Sequence, residues 1–131
     1  MPLRRLALTA LLLAPLTAQA NPPLGDVTVV TEGLIAAAIA YEIGDKCDGL
    51  DARLVAGINF LQGLKNHAEG LGYSSRDIEA FIDDDAEADR LEAVARARLS
   101  AMGGVTGQWE TYCAVGQAEI AVGSQIGRLL R

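Results

Sequence analysis

Apolar residues recur at three- and four-residue steps over most of the chain, the spacing that lines one face of an α-helix. Leu34, Ile35, Ala38, Ile39 and Ile43 mark a first helix from about Thr31 to Lys46, with Thr31 as its N-cap and Glu32 complementing the dipole in the first turn. Asp48-Gly49 ends it. Asp48-x-x-Asp51 has the spacing of a cap for a second helix, Asp51 to about Leu71, whose stripe is Leu54, Val55, Ile58, Leu61, Leu64, Ala68 and Leu71. Gly72 is placed as its left-handed C-terminal cap.

The next local signal is the clearest. Ser74 and Asp77 have capping-box spacing, and Tyr73 and Ile78 that of a hydrophobic staple, opening a short third helix that buries Ile78, Phe81 and Ile82. Carried straight on, that helix would turn Asp85 towards the core. A break is therefore predicted at Asp83-Asp84-Asp85, with Asp84 or Asp85 capping a fourth helix to about Met102. Leu91, Val94, Ala95, Leu99 (or Ala97) and Met102 form its apolar side, and Glu92–Arg96 is an i,i+4 pair in the favourable order. Gly103-Gly104 stops it. After a loop to Gln108, Trp109 and Tyr112 plug the start of a final helix running to Arg131, in which Val115, Ile120, Val122, Ile126, Leu129 and Leu130 alternate with glycine and alanine. The fold class is all-α, a small bundle of about five helices in one domain, 31–131. Val27, Val29 and Val30 find no second strand, and Asn-Pro-Pro-Leu-Gly precedes them, so 21–30 is expected to be an extended N-terminal arm.

Residues 1–20 have a different pattern. Arg4 and Arg5 precede the apolar run Leu6–Leu16, and Ala18-Gln19-Ala20 supplies a small-x-small cleavage site, which together read as a signal peptide for the general secretory route. Pro15 and Gln19 cut the run short of the roughly 20 residues a membrane span needs. The expected location is the periplasm, with no integral membrane segment after cleavage.

Export changes the meaning of the two cysteines. Cys47 and Cys113 lie 66 positions apart and not in a Cys-x-x-Cys arrangement, so a structural disulfide is expected rather than a redox or ligating pair. Closing a loop of that size stabilises by about 4 kcal/mol in the chain-entropy picture. The bond would join the end of the first helix to the start of the last. Packed antiparallel, the two helices would set Ile43 near Gln117, Ile39 near Ala121 and Ile35 near Gln125.

The whole chain has 11 basic and 17 acidic side chains. Without Arg4 and Arg5 the count is nine against 17, a net charge of −8. Such a surface repels nucleic acid phosphate and anionic lipid. No catalytic, cofactor-binding or metal-ligating set emerges. His67 has no partner in helical register, because Glu69 two residues on points elsewhere. An EF-hand loop starting at Asp83 would need Gly and Glu where Ala88 and Val94 stand. Gly123-x-x-x-Gly127 stands in a segment that Glu119, Gln125 and Arg128 interrupt, so it reads as close helix packing in water.

Cys47-Asp48, the Leu-Gly-Tyr-Ser of Leu71–Ser74, and the ending Cys113-Ala114-x-Gly116-x-Ala118-Glu119-Ile120-Ala121-x-Gly123-Ser124-x-Ile126-Gly127-x-Leu129-Leu130-Arg131 resemble an uncharacterised family of small secreted alphaproteobacterial proteins. Some members carry the label of a subunit of the respiratory NADH dehydrogenase. The resemblance transfers no activity, and two cysteines cannot hold an iron–sulfur cluster that needs four. The expected function is non-enzymatic: an exported accessory or protein-interaction module whose partner is another protein, with a membrane complex as one candidate. The alternative is a small carrier of an apolar ligand.

Overall fold

A computed structural model describes residues 15 and 20–131, so most of the expected signal peptide lies outside the described residues. The fold is all-α: α1 (Thr28–Lys46), α2 (Leu54–Gly70), α3 (Ser75–Ile82), α4 (Asp85–Ala101), α5 (Trp109–Val122) and the short α6 (Gln125–Arg128), after a 3-10 turn at Leu24–Asp26. Among the described residues the only β-pairing is two isolated bridges.

α1 is the central strut. Ile35, Ile39 and Ile43 are buried in one cluster with Leu91, Ala95 and Leu99 of α4 and with Tyr112 and Val115 of α5. Outside that seam, Arg98 of α4 donates two hydrogen bonds to Glu32 of α1, at 2.5 and 3.1 Å. α1 starts three residues earlier than the sequence suggested. Thr31 is not its cap: buried inside the helix, its hydroxyl donates to the carbonyls of Val27 and Thr28. The expected extended arm is correspondingly short. Leu24 and Val30 are drawn into a second apolar cluster with Ala68, Tyr73 and Ile78, and the Tyr73 hydroxyl donates to the carbonyl of Pro22.

The bond between Cys47 and Cys113 is present, with the two Cα atoms 5.3 Å apart. It sets α5 against the end of α1, where a methyl built on Gly116 would stand 2.5 Å from Leu50 and 2.9 Å from Ile43. Glycine is required there by close approach. The antiparallel run is kept in outline, with Gly116 meeting Ile43 and Gln125 lining a cleft with Gly33 and Ala36 of α1, but it is broken between these points. Gln117 and Ala121 are exposed, and α5 stops at Val122. Gly123 adopts a left-handed φ of +65°, and the Ser124 hydroxyl then accepts from the amide of Gly127 at 3.0 Å to cap α6. The chain doubles back, with Gly127 against the Glu119 carbonyl so closely that no side chain could fit. The single final helix expected through Arg131 is thus two. Ile120 and Val122 face solvent, while Ile126, Leu129 and Leu130 reach the core.

The tail then ties down the segment ahead of α2. The Asp51 amide donates to Arg131 and the Arg131 amide to Asp51, at 2.8 and 3.0 Å, and the Arg53 amide donates to Leu129 at 2.8 Å. Residues 51–53 are held extended by these bonds, so the expected Asp48-x-x-Asp51 cap is not made. α2 starts at Leu54 with no side-chain cap. Further along, local chemistry prevails. Ser74 and Asp77 form the reciprocal capping box, Asp84 accepts from the amides of Ala86 and Glu87, and Gly72 and Gly103 take the positive φ that ends α2 and α4.

Candidate functional site

α2 departs most from its expected environment. Of its predicted stripe only Leu64 and Ala68 are buried. Leu54 is 68% exposed, Val55 74%, Ile58 66% and Leu61 44%. The cause is geometric. α2 crosses α1 at Gly33, where a methyl would come within 2.6 Å of Leu64, and Phe60 and Ala56 turn towards the main cluster. At 100° per residue the apolar arc of α2 runs from Ala56 and Phe60 through Leu64 to Leu54, Ile58 and Val55. That is wider than one neighbouring helix can cover. The uncovered part looks outward.

Between this face and α1 lies a shallow groove of about 170 Å³, its sides including Ala37, Ala40 and Tyr41 of α1 and Leu54, Gly57 and Ile58 of α2. Tyr41 is itself exposed. A methyl built on Gly57 meets nothing within 4 Å. A glycine in a helix interior is less favourable than alanine by about 1 kcal/mol, and nothing within the fold requires it at this position. Four side chains exposed to this degree form a patch of several hundred Å², the size at which surfaces of monomeric proteins acquire a binding role.

The charge beside this face differs from that of the rest of the molecule. Among the described residues, Lys46, Lys65, Arg90, Arg96 and Arg98 each have a carboxylate within 4.0 Å. Arg53, Arg76, Arg128 and Arg131 do not. Three of these four gather at the N-terminal end of α2. The Arg53 guanidinium donates to the Arg128 carbonyl at 2.8 Å, the Arg128 guanidinium donates to Gln125 at 3.0 Å, and Arg131 shares a cleft with Arg53, Leu54, Val55 and the carboxylate of Asp51.

The groups considered from sequence for chemistry lie apart. His67 and Glu69 are exposed on α2, and Glu69 is 4.0 Å from Lys65. Asp83, Asp84 and Asp85 are exposed at the α3–α4 junction, where Asp84 serves as the cap. No group of three or more His, Cys, Asp or Glu side chains is close enough to hold a metal ion among the described residues. Tyr112 is buried as expected, whereas Trp109 is at the surface, edge-on to Tyr112 and 5.4 Å from the Lys46 ammonium. A second groove, of about 250 Å³ between α1 and α4, includes Ala38, Ile39, Glu92 and Arg96 on its walls. No helix of the described residues is long and apolar enough to cross a membrane.

Fold and surface together define a class: a small helical domain held by one disulfide, with one uncovered apolar helix face. Within that class the chain belongs to the Family of unknown function (DUF5333), which it matches over residues 22–131. Searches of the curated proteins and of the solved structures gave no match.

Proposed function

We propose that this protein is an exported, non-enzymatic interaction module that binds another polypeptide through the α2 face. The observation that carries the proposal is the exposure of Leu54, Val55, Ile58 and Leu61 together on one helix. The separation of His67, Glu69 and the acidic cluster favours binding over chemistry. The disulfide fits an oxidising compartment, and with the apolar run at the N-terminus it supports the periplasm. A small apolar ligand is held best by enclosure, and both α1 grooves are shallow and open, which favours a polypeptide over a carried ligand. The family resemblance makes the exported side of the respiratory NADH dehydrogenase the first complex to examine.

The test is affinity capture from gently solubilised cells with wild-type protein and with Ile58→Asp. A stoichiometric polypeptide retained by the wild type and lost from the variant is expected. Equal retention by both, or none by either, would contradict the proposal.

A further inference from the structure

Where the N-terminal arm meets α3 and the start of α4, a cleft is walled by Asn21, Pro22, Tyr73, Asp77, Asp84 and Glu87. We infer that this cleft is the seat of the processed N-terminus: cleavage after Ala20 frees an α-ammonium on Asn21, which Asp77 and Asp84 hold while Tyr73 grips the next residue. The inference rests on the reading of the chain as exported, and adds what removal of residues 1–20 does to the fold.

The arm is seated by specific contacts. Leu24 is buried with Val30, Ala68, Tyr73 and Ile78. Tyr73 is 8% exposed, and its hydroxyl donates to the carbonyl of Pro22. Pro23 has φ −52° and ψ 142°, close to polyproline geometry, so the arm is extended and its two prolines present carbonyls with no amide left to satisfy. Arg90 of α4 donates to the Gly25 carbonyl at 3.3 Å. The contacts run back to Asn21 itself, since a methyl built on Gly72 would stand 3.2 Å from the Asn21 side-chain amide.

Charge separates the processed chain from its precursor. In the precursor the Asn21 nitrogen is a neutral amide. Hydrolysis adds the hydroxyl of water to the Ala20 carbonyl carbon and a proton to that nitrogen, which then takes up a second proton and is an ammonium at neutral pH. The cleft offers it Asp77 from α3, Asp84 from the α3–α4 junction and Glu87 from α4, with no lysine or arginine on its walls. Glu87 is already paired with Arg90 at 2.7 Å, and Asp26 of the 3-10 turn also lies near Arg90. Asp77 and Asp84 accept the cap amides of Ser74, Ala86 and Glu87, and among the described residues neither has a basic partner. Cleavage therefore sets a positive charge beside two carboxylates that lack one.

Ligating a synthetic 21–46 segment to residues 47–131 at Cys47, then refolding and oxidising, yields the whole mature chain with either a free or an acetylated Asn21 and no other difference. In thermal melts near pH 6.5 the free form should unfold at least about 2 °C above the acetylated one. An ammonium that the fold favours has a raised pKa, so its contribution is present below the ordinary value and is lost as pH rises through the folded one. The gap should therefore close towards about pH 10. Asp77→Asn with Asp84→Asn keeps a side-chain oxygen for each cap amide but removes the charge, and should erase the gap. Each single substitution should narrow it, so the test does not hang on the double variant folding. Asp85→Asn, at the same junction but outside the cleft, should leave the gap unchanged.

A gap that is absent near pH 6.5, that persists at high pH, or that survives removal of the two carboxylates overturns the inference. Export is judged separately, by the intact mass of the protein recovered from periplasm and cytoplasm. A periplasmic chain beginning at Asn21 is expected. A cytoplasmic chain that retains residues 1–20 removes export and the seated terminus together. A periplasmic chain that begins at another residue, or one that begins at Asn21 but melts alike with and without acetylation, keeps export and removes the seated terminus alone.

Discussion

α1 and α2 have apolar patterns of the same period and similar length, yet they occupy opposite environments. Ile39 and Ile43 of α1 are the most deeply buried large side chains, whereas Val55 and Ile58 of α2 are among the most exposed apolar ones. The difference comes from their neighbours. α1 is packed by α2, α4, α5 and α6. α2 is anchored at Leu64 against Gly33, and by Ala52 against Gly44, and no element of the described residues lies over its outer side. Periodicity reports that a face is apolar. It does not report whether the same chain covers it.

The sharpest way to break the comparison is to remove what holds α1 in the core. Replacing Cys47 and Cys113 together by alanine should lower unfolding stability by about 4 kcal/mol in urea melts, and reduction of the wild type should give a matching loss. Next comes the direct contrast between the two helices. Ile39→Ala should destabilise by roughly 2–5 kcal/mol, and Ile58→Ala by no more than about 0.5 kcal/mol, measured by the same melts. Glycines sharpen the point with opposite signs. Gly57→Ala and Gly63→Ala, where a methyl meets open space, should each stabilise by about 0.5–1 kcal/mol, whereas Gly116→Ala, pressed on Leu50 and Ile43, should destabilise.

The smallest effect belongs to the clamp between α1 and α4. The Arg98 hydrogen bonds hold the Glu32 carboxyl below its ordinary pKa of 4.5, opposed by burial and helped to a lesser degree by the nearby positive charge. A lowered folded-state pKa gives stability that is present above the unfolded value and is lost as pH falls through the folded one. Glu32→Gln should therefore cost at most a few tenths of a kcal/mol at neutral pH, since the pair is half exposed, and nothing once the pH lies well below 4.5. Paired urea melts across that range check the sign.

The features legible in the sequence are those that local chemistry decides. Ser74 and Asp77 supply both halves of a cap within four residues, Asp84 offers the carboxylate that restarts the helix, and the cysteines bring two distant ends together. Errors fell where a distant segment outcompeted a local one. Thr31 could have capped a helix but was drawn into it by the 3-10 turn before it. Asp51 could have capped α2 but is bound to Arg131, eighty positions on, and no spacing near residue 51 announces that. The unbroken apolar period of the last helix concealed the turn at Gly123-Ser124, although a glycine followed by serine is a stop followed by a start. The α2 surface was half legible, because an arc reaching from Ala56 to Val55 is more than one neighbour can cover. Its arginine corner was not, being assembled from residue 53 and the C-terminal tail by folding alone.

The outward face of α2 is tested most directly by carbene footprinting of Leu54, Ile58 and Leu61, read against Ile39 and Ile43, in the purified chain and in a gentle cell extract. Strong labelling of the three α2 residues in the purified chain, little labelling of the two α1 residues, and protection of α2 alone in the extract is the predicted result. Protection of α2 in the purified chain, or equal labelling of α2 in both preparations, would contradict it.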